Sequence, residues 1–154
     1  MPATGVYSAY MEAVSVSGAI TLVQVKAGST HIVRILRAWC SQSSTTTSAR
    51  QRIQVLRKSA AATVTSFTPK PLNGSQAAKA VGGTSATGHT ASGEGTDGDV
   101  LFTDAFDLVT GWEKVWIPEE RIIVPAGGII ALKFPAAPGG ATTITAGFDF
   151  DEIG

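Results

Sequence analysis

The most regular pattern in the chain lies near its C-terminus. Between residues 142 and 150, Ile144, Ala146, Phe148 and Phe150 alternate with Thr143, Thr145, Gly147 and Asp149. Period-two alternation places successive side chains on opposite faces, so this segment predicts a strand with one buried face. Two more segments behave alike: Ile53 and Val55 oppose Arg52, Gln54 and Lys58 in 51–58, and Ile130, Leu132 and Phe134 oppose Ala131 and Lys133 in 129–134. The segments 20–25 and 32–39 are apolar on both faces, which predicts strands covered within by a second sheet and outside by a neighbouring subunit or an arm. Further strands are expected at 13–17, 63–67, 100–109, 115–117 and 121–124, and only 75–81 suits a short helical turn. Many short strands with almost no helical period predict an all-β, antiparallel sandwich.

Two turns share a spacing. Val25-Lys-Ala-Gly28 precedes the 32–39 strand and Val124-Pro-Ala-Gly127 precedes the 129–134 strand, each with a glycine where positive φ is expected. Paired hairpins of this kind fit a jelly roll, the double Greek-key sandwich of capsid and lectin domains. An immunoglobulin-like sandwich competes, but its Cys…Trp…Cys signature is missing. Residues 1–12, with Tyr7, Tyr10 and Met11 but one charge, read as an extended arm, and 13–154 as a single domain. Within it, 68–98 holds seven Gly, five Ala, five Thr and three Ser, and reads as a long irregular loop, flexible or ordered by a partner, ahead of a plain surface insertion. The N-terminus lacks a basic region followed by an apolar one, so no secretory signal is expected.

Composition narrows the field. At 154 residues with 44% hydrophobic and 16% charged positions, the chain can build a core without a disulfide or a metal. The 17 Gly, 18 Thr and 13 Ser disfavour a helical bundle. Lys26, Arg34 and Lys133 interrupt the best apolar runs, which excludes a helical membrane span. Net charge is zero but divided: residues 1–80 carry nine Lys/Arg against Glu12, and residues 81–154 carry eleven acids against three Lys/Arg. The favoured reading is pairing within the molecule; the alternative is docking of opposite faces between copies or onto a charged partner. Basic residues without interleaved aromatics give no reason to expect nucleic acid.

Candidate chemistry is sparse. Cys40 is the lone cysteine, and with only His31 and His89 no zinc set can form. There is no phosphate-binding loop and no nucleophile elbow. His31 reads as a half-buried strand residue and His89 as a solvated loop residue. Glu94, Asp97 and Asp99 suggest calcium but miss its ligand ladder, so a solvated turn is the better reading. Glu119 and Glu120 are adjacent, and on a strand they would point to opposite faces. No catalytic, cofactor or metal residues are expected, and hence no enzyme.

Aromatic residues are more suggestive. Trp112 and Trp116, four apart in a β-like segment, project from one face; core is the favoured reading, ahead of a protein interface and a sugar platform. The stretch from Trp116-Ile-Pro-Glu-Glu-Arg to Ile130-Ala-Leu-Lys133, the end Thr145-Ala-Gly-Phe-Asp-Phe-Asp-Glu-Ile-Gly154, and Arg52-Ile-Gln-Val-Leu-Arg-Lys-Ser59 resemble small jelly-roll virion proteins of tailed bacteriophages. The resemblance implies a capsid decoration or cement protein, trimeric on the major capsid protein at the virion surface, with no cofactor. Interface candidates are Tyr7, Tyr10, Arg50, Arg52, Trp112 and Trp116. The alternative function is a carbohydrate-binding jelly roll of a fibre, with a glycan as partner.

Overall fold

The computed structural model describes residues 5–76 and 86–154. Their strands are β1 Gly5–Val16, β2 Ile20–Lys26, β3 Ile32–Gln42, β4 Arg50–Ala60, β5 Thr63–Ser66, β6 Lys70–Pro71, β7 Gly88–Gly93, β8 Thr96–Asp107, β9 Trp112–Val115, β10 Ile122–Val124, β11 Ile129–Phe134 and β12 Thr142–Ile153. One 3-10 turn, Pro118–Glu120, joins β9 to β10. The strands form an all-β sandwich of two antiparallel sheets: a front sheet ordered β10-β3-β12-β1-β6, with β9 also on β3, and a back sheet ordered β5-β7-β2-β11-β4-β8. No helix among the described residues is long and apolar enough to cross a membrane.

The pairing is nested. β1 pairs with β12, β2 with β11, β3 with β9 and β10, and β4 with β8, while consecutive strands β1 to β4 alternate between the sheets. The chain is thus a long antiparallel ribbon folded over itself. Its two similar turns meet at one end, where Gly127 N donates to Gly28 O at 3.0 Å and Ala27 N to Gly128 O at 2.9 Å. Only Gly127 needs positive φ, at 73°. Gly28 turns without it.

Alternation decides which side chains fill the space between the sheets. Ile144, Ala146, Phe148 and Phe150 of β12 are fully buried beside Tyr7, Ala9 and Met11 of β1, and face Ile53, Val55, Ile130, Leu132 and Phe134 of the back sheet. Each such large side chain contributes about 1.5–3 kcal/mol. Residues 5–12 are therefore not an arm. They belong to β1, between β12 and β6, and small Ala9 and outward Tyr10 had blurred the alternation.

The 68–98 segment also departs from expectation. Its described part supplies β6, β7 and the start of β8. Backbone pairing to β1 and β2 holds β6 and β7, so Thr, Ser, Gly and Ala suffice where an apolar stripe would otherwise be needed. The helical turn expected at 75–81 falls outside the described residues from 77 onward. The outer cover of β2 is the chain's own: buried Gln24 accepts from Ala62 N at 2.8 Å and donates to Ala86 O, and Thr21 N donates to Glu94 at 2.9 Å. The outer face of β3, by contrast, stays partly open, with Arg34, Arg37 and Trp39 on it.

Candidate functional site

Nesting explains what becomes of the divided charge. It sets first-half strands beside second-half strands, with Arg34 opposite Asp151 and Arg37 opposite Asp149 across β3 and β12. Arg34 forks onto both Asp151 oxygens, and this hydrogen bonding raises the guanidinium pKa. Arg37 donates to Asp149 and to Glu113, each at 2.9 Å. In the back sheet the Lys58 side chain, 0% exposed, donates to Asp97 at 2.5 Å and to the Glu94 carbonyl at 2.7 Å, while Lys133 donates to Asp97 at 2.6 Å. The acidic run is therefore no solvated turn. Burial opposes the ionised form of Glu94 and Asp97, but hydrogen bonds from Thr21 to Glu94 and from the lysines to Asp97, with the charge of both ammonium groups, hold the two carboxyls below their ordinary values. Two ammonium groups stand where a calcium ion was conceivable. Among the described residues no group of His, Cys, Asp and Glu could hold a metal.

Other candidates separate. Tyr7 is a core residue stacked on Phe150 at 5.9 Å, which removes it from the interface set. Tyr10 faces outward and leans on Phe67 at 4.8 Å. Arg50 and Arg52 are exposed on β4, opposite Asp107 and Ala105 of β8. His31 lies just before β3, 3.6 Å from Glu152. His89 is half-buried in β7 against Phe67, and burial lowers its pKa, so it is not a solvated loop residue. Glu119 and Glu120 lie in the exposed 3-10 turn. Burial pushes the Cys40 thiol up to about 12.

Trp112 and Trp116 do share a direction. Both rings approach Phe102 of β8, at 6.1 and 6.2 Å, and so clasp the front sheet to the back one. Trp116 is 5% exposed, and Trp112 donates Nε1–H to Asp104 at 3.1 Å. Five apolar side chains of β8, β9, β10 and the turn between them, Val100, Leu101, Val115, Ile117 and Ile123, are 39–58% exposed. Arg57 bridges the same side by donating to Ile123 O at 3.1 Å. Along it runs β8, the last strand of the back sheet, 12 residues long.

A second surface went unnoticed in the sequence. On the outer face of the front sheet, Trp39, Gly147 and Tyr10 lie in register across β3, β12 and β1. Gly147 has no side chain and Trp39 occupies the gap; a Cβ at 147 would fall 2.6 Å from the indole and 2.7 Å from Ala9 O. The Arg37 guanidinium lies 4.6 Å from the Trp39 ring centre. Between these groups is a hollow of about 660 Å³, lined by Tyr10, Glu12, Trp39, Thr145, Asp149 and Ser8 among others. The signal available was the alternation of Arg37 and Trp39 with Ala38 and Cys40, which marks Trp39 as outward. No family model matches the chain, and no curated protein or solved structure matches it either.

Proposed function

We propose that the protein is a non-enzymatic virion structural protein, a jelly-roll decoration protein that sits on the major capsid protein at the capsid surface as a homotrimer. The nested order, β1-β12-β3-β10 over β2-β11-β4-β8, supports the jelly-roll reading. The observation that carries the function is the β8–β10 flank. A long strand with one edge unpaired, carrying exposed Val100 and Leu101 and with Val115, Ile117 and Ile123 exposed on the β9–β10 segment, is a liability that lone domains avoid and assembled ones cover.

One two-fold arrangement of the flank is disfavoured. Antiparallel pairing of two β8 strands about Leu101 and Phe102 would set Asp99 opposite Asp104, and like charges directly opposite destabilise. A head-to-tail contact avoids this and closes into a ring when its rotation allows.

Light scattering combined with sedimentation against purified capsids tests the reading. The expected result is a trimer that co-sediments with capsids, and that loses both properties when Leu101 and Ile117 are replaced by lysine. A parental protein that stays monomeric at micromolar concentration and ignores capsids would overturn it.

A further inference from the structure

We propose that the hollow on the outer face of the front sheet is a binding site for a neutral glycan, with one pyranose ring against Trp39 and Tyr10 and its hydroxyls held by Glu12, Asp149, Ser8 and Thr145. This site is separate from the β8–β10 flank and does not rest on its role in assembly. Sugar recognition needs an apolar surface for the C–H face of the ring and converging polar groups for its hydroxyls. Both are present here. Trp39 and Tyr10 lie two strands apart with only Gly147 between them. The missing side chain at Gly147 lets the Trp39 indole lie over β12, toward Tyr10.

Asp149, Arg37 and Thr145 are held in place before any ligand arrives. Arg37 is fixed by Asp149 and Glu113 and lies over Trp39, so it restrains the indole as well. Asp149 accepts from Arg37 through Oδ2, which leaves Oδ1 for a hydroxyl. Glu12 shares the outer face with Ser8 and Tyr10 by ordinary alternation, and β1 bulges next to it, between Met11 and Val14. At that bulge Ala13 adopts φ 49°, a costly conformation for a residue with a Cβ, and its N–H is held by Thr145 Oγ1 at 3.0 Å. Bulges recur beside sites where they re-aim a side chain.

Charge selects the class of ligand. Glu12, Asp149 and the adjoining Glu113 stand against Arg37 and, opposite Ser8, Lys70, so the acids keep a narrow excess and the surface disfavours sulfated, sialylated and phosphorylated partners, nucleic acid included. At about 660 Å³ the hollow falls in the range of small-ligand sites. Its open form suits a chain end or a short stretch of polysaccharide. The binding is lectin-like, with no bond made or broken.

The test is saturation-transfer NMR and calorimetry of the full chain against neutral oligosaccharides of glucose, galactose and mannose, with sialyllactose and a heparin tetrasaccharide as anionic probes. At least one neutral probe is expected to bind with a millimolar or tighter Kd. Trp39→Ala should weaken it at least tenfold, and Glu12→Gln, at an exposed position, about threefold to tenfold. Trp112→Phe should leave it unchanged. Circular dichroism and solution mass confirm that each variant is folded and assembled as the parent is. Binding of the anionic probes alone, no binding of any probe by folded protein, or binding that survives Trp39→Ala would overturn the proposal. So would a Trp39→Ala variant that binds glycan normally but no longer self-associates, since the hollow would then be an interface between copies. Loss of trimer with glycan binding intact would sink the assembly reading and spare this one.

Discussion

The two long sides of the sandwich are finished differently. Beside β1 and β2, the 61–95 excursion adds β6 to the front sheet and β7 and β5 to the back sheet, so the sheets end in strands of two and four residues. Phe67 fills the corner against Tyr10 and His89, and Gln24, Thr21 and Lys58 satisfy the turns that cross it. Beside β4 and β3 the sandwich ends in the 12-residue β8 and the short β9 and β10, with Val100, Leu101, Val115, Ile117 and Ile123 open to water. Short edge strands and covering segments are how proteins prevent unwanted pairing. The chain seals one side with its own backbone and leaves on the other a long edge strand, which is the side the proposed assembly would cover.

The comparison can be broken from either side. The largest effect is expected from Trp116→Ala, which empties the clasp beneath the open side. At 5% exposure, loss of that ring should cost about 3–5 kcal/mol in urea unfolding. On the sealed side, Gln24→Leu strands the Ala62 N–H and the Ala86 carbonyl in a buried setting. At about 1–2 kcal/mol for each orphaned group, the expected cost is about 2–4 kcal/mol, with protease cutting appearing first within 61–95.

Acid should act through the Glu94–Asp97 cluster that joins the start of β8 to β2, β4 and β11. Glu94 and Asp97 have folded-state pKa values below their ordinary ones, so their contribution is complete above about pH 5 and is lost as pH falls through the depressed values. Unfolding midpoints measured from pH 6 to pH 2 should fall in the parent and fall less in Glu94→Gln/Asp97→Asn, which begins lower at pH 6. The smallest effect on stability is expected from Leu101→Lys/Ile117→Lys, within about 0.5 kcal/mol per position for the isolated subunit, because both side chains are already exposed. Its effect on assembly should be the greatest of the four.

How much of this was legible in the sequence follows from where the signal comes from. β12, β11 and β4 announce themselves because one face is apolar and the other polar, and the structure has them as expected, with β12 running on to Ile153. The first part of β1 resembles an arm in sequence because Ala9 and Gly5 carry little hydrophobic signal although both are buried. β6 and β7 left almost no trace, since their pairing partners rather than their side chains fix them. Trp112 and Trp116 were correctly placed on one face, but their shared partner Phe102 comes from another strand and another sheet, which spacing cannot reveal. The hollow around Trp39 was invisible for the same reason: Tyr10, Trp39 and Asp149 meet only through the register of β1, β12 and β3.

Hydrogen exchange of the backbone amides, compared between assembled protein at high concentration and subunits at high dilution, tests the claim about the open side most directly. In the isolated subunit, amides of β8 directed away from β4 should exchange rapidly. On assembly, protection should rise in β8 and around Val115, Ile117 and Ile123, while β5 and β7 remain as they were. Exchange in β8 to β10 that does not change with concentration, or new protection confined to the 61–95 side, would contradict the account.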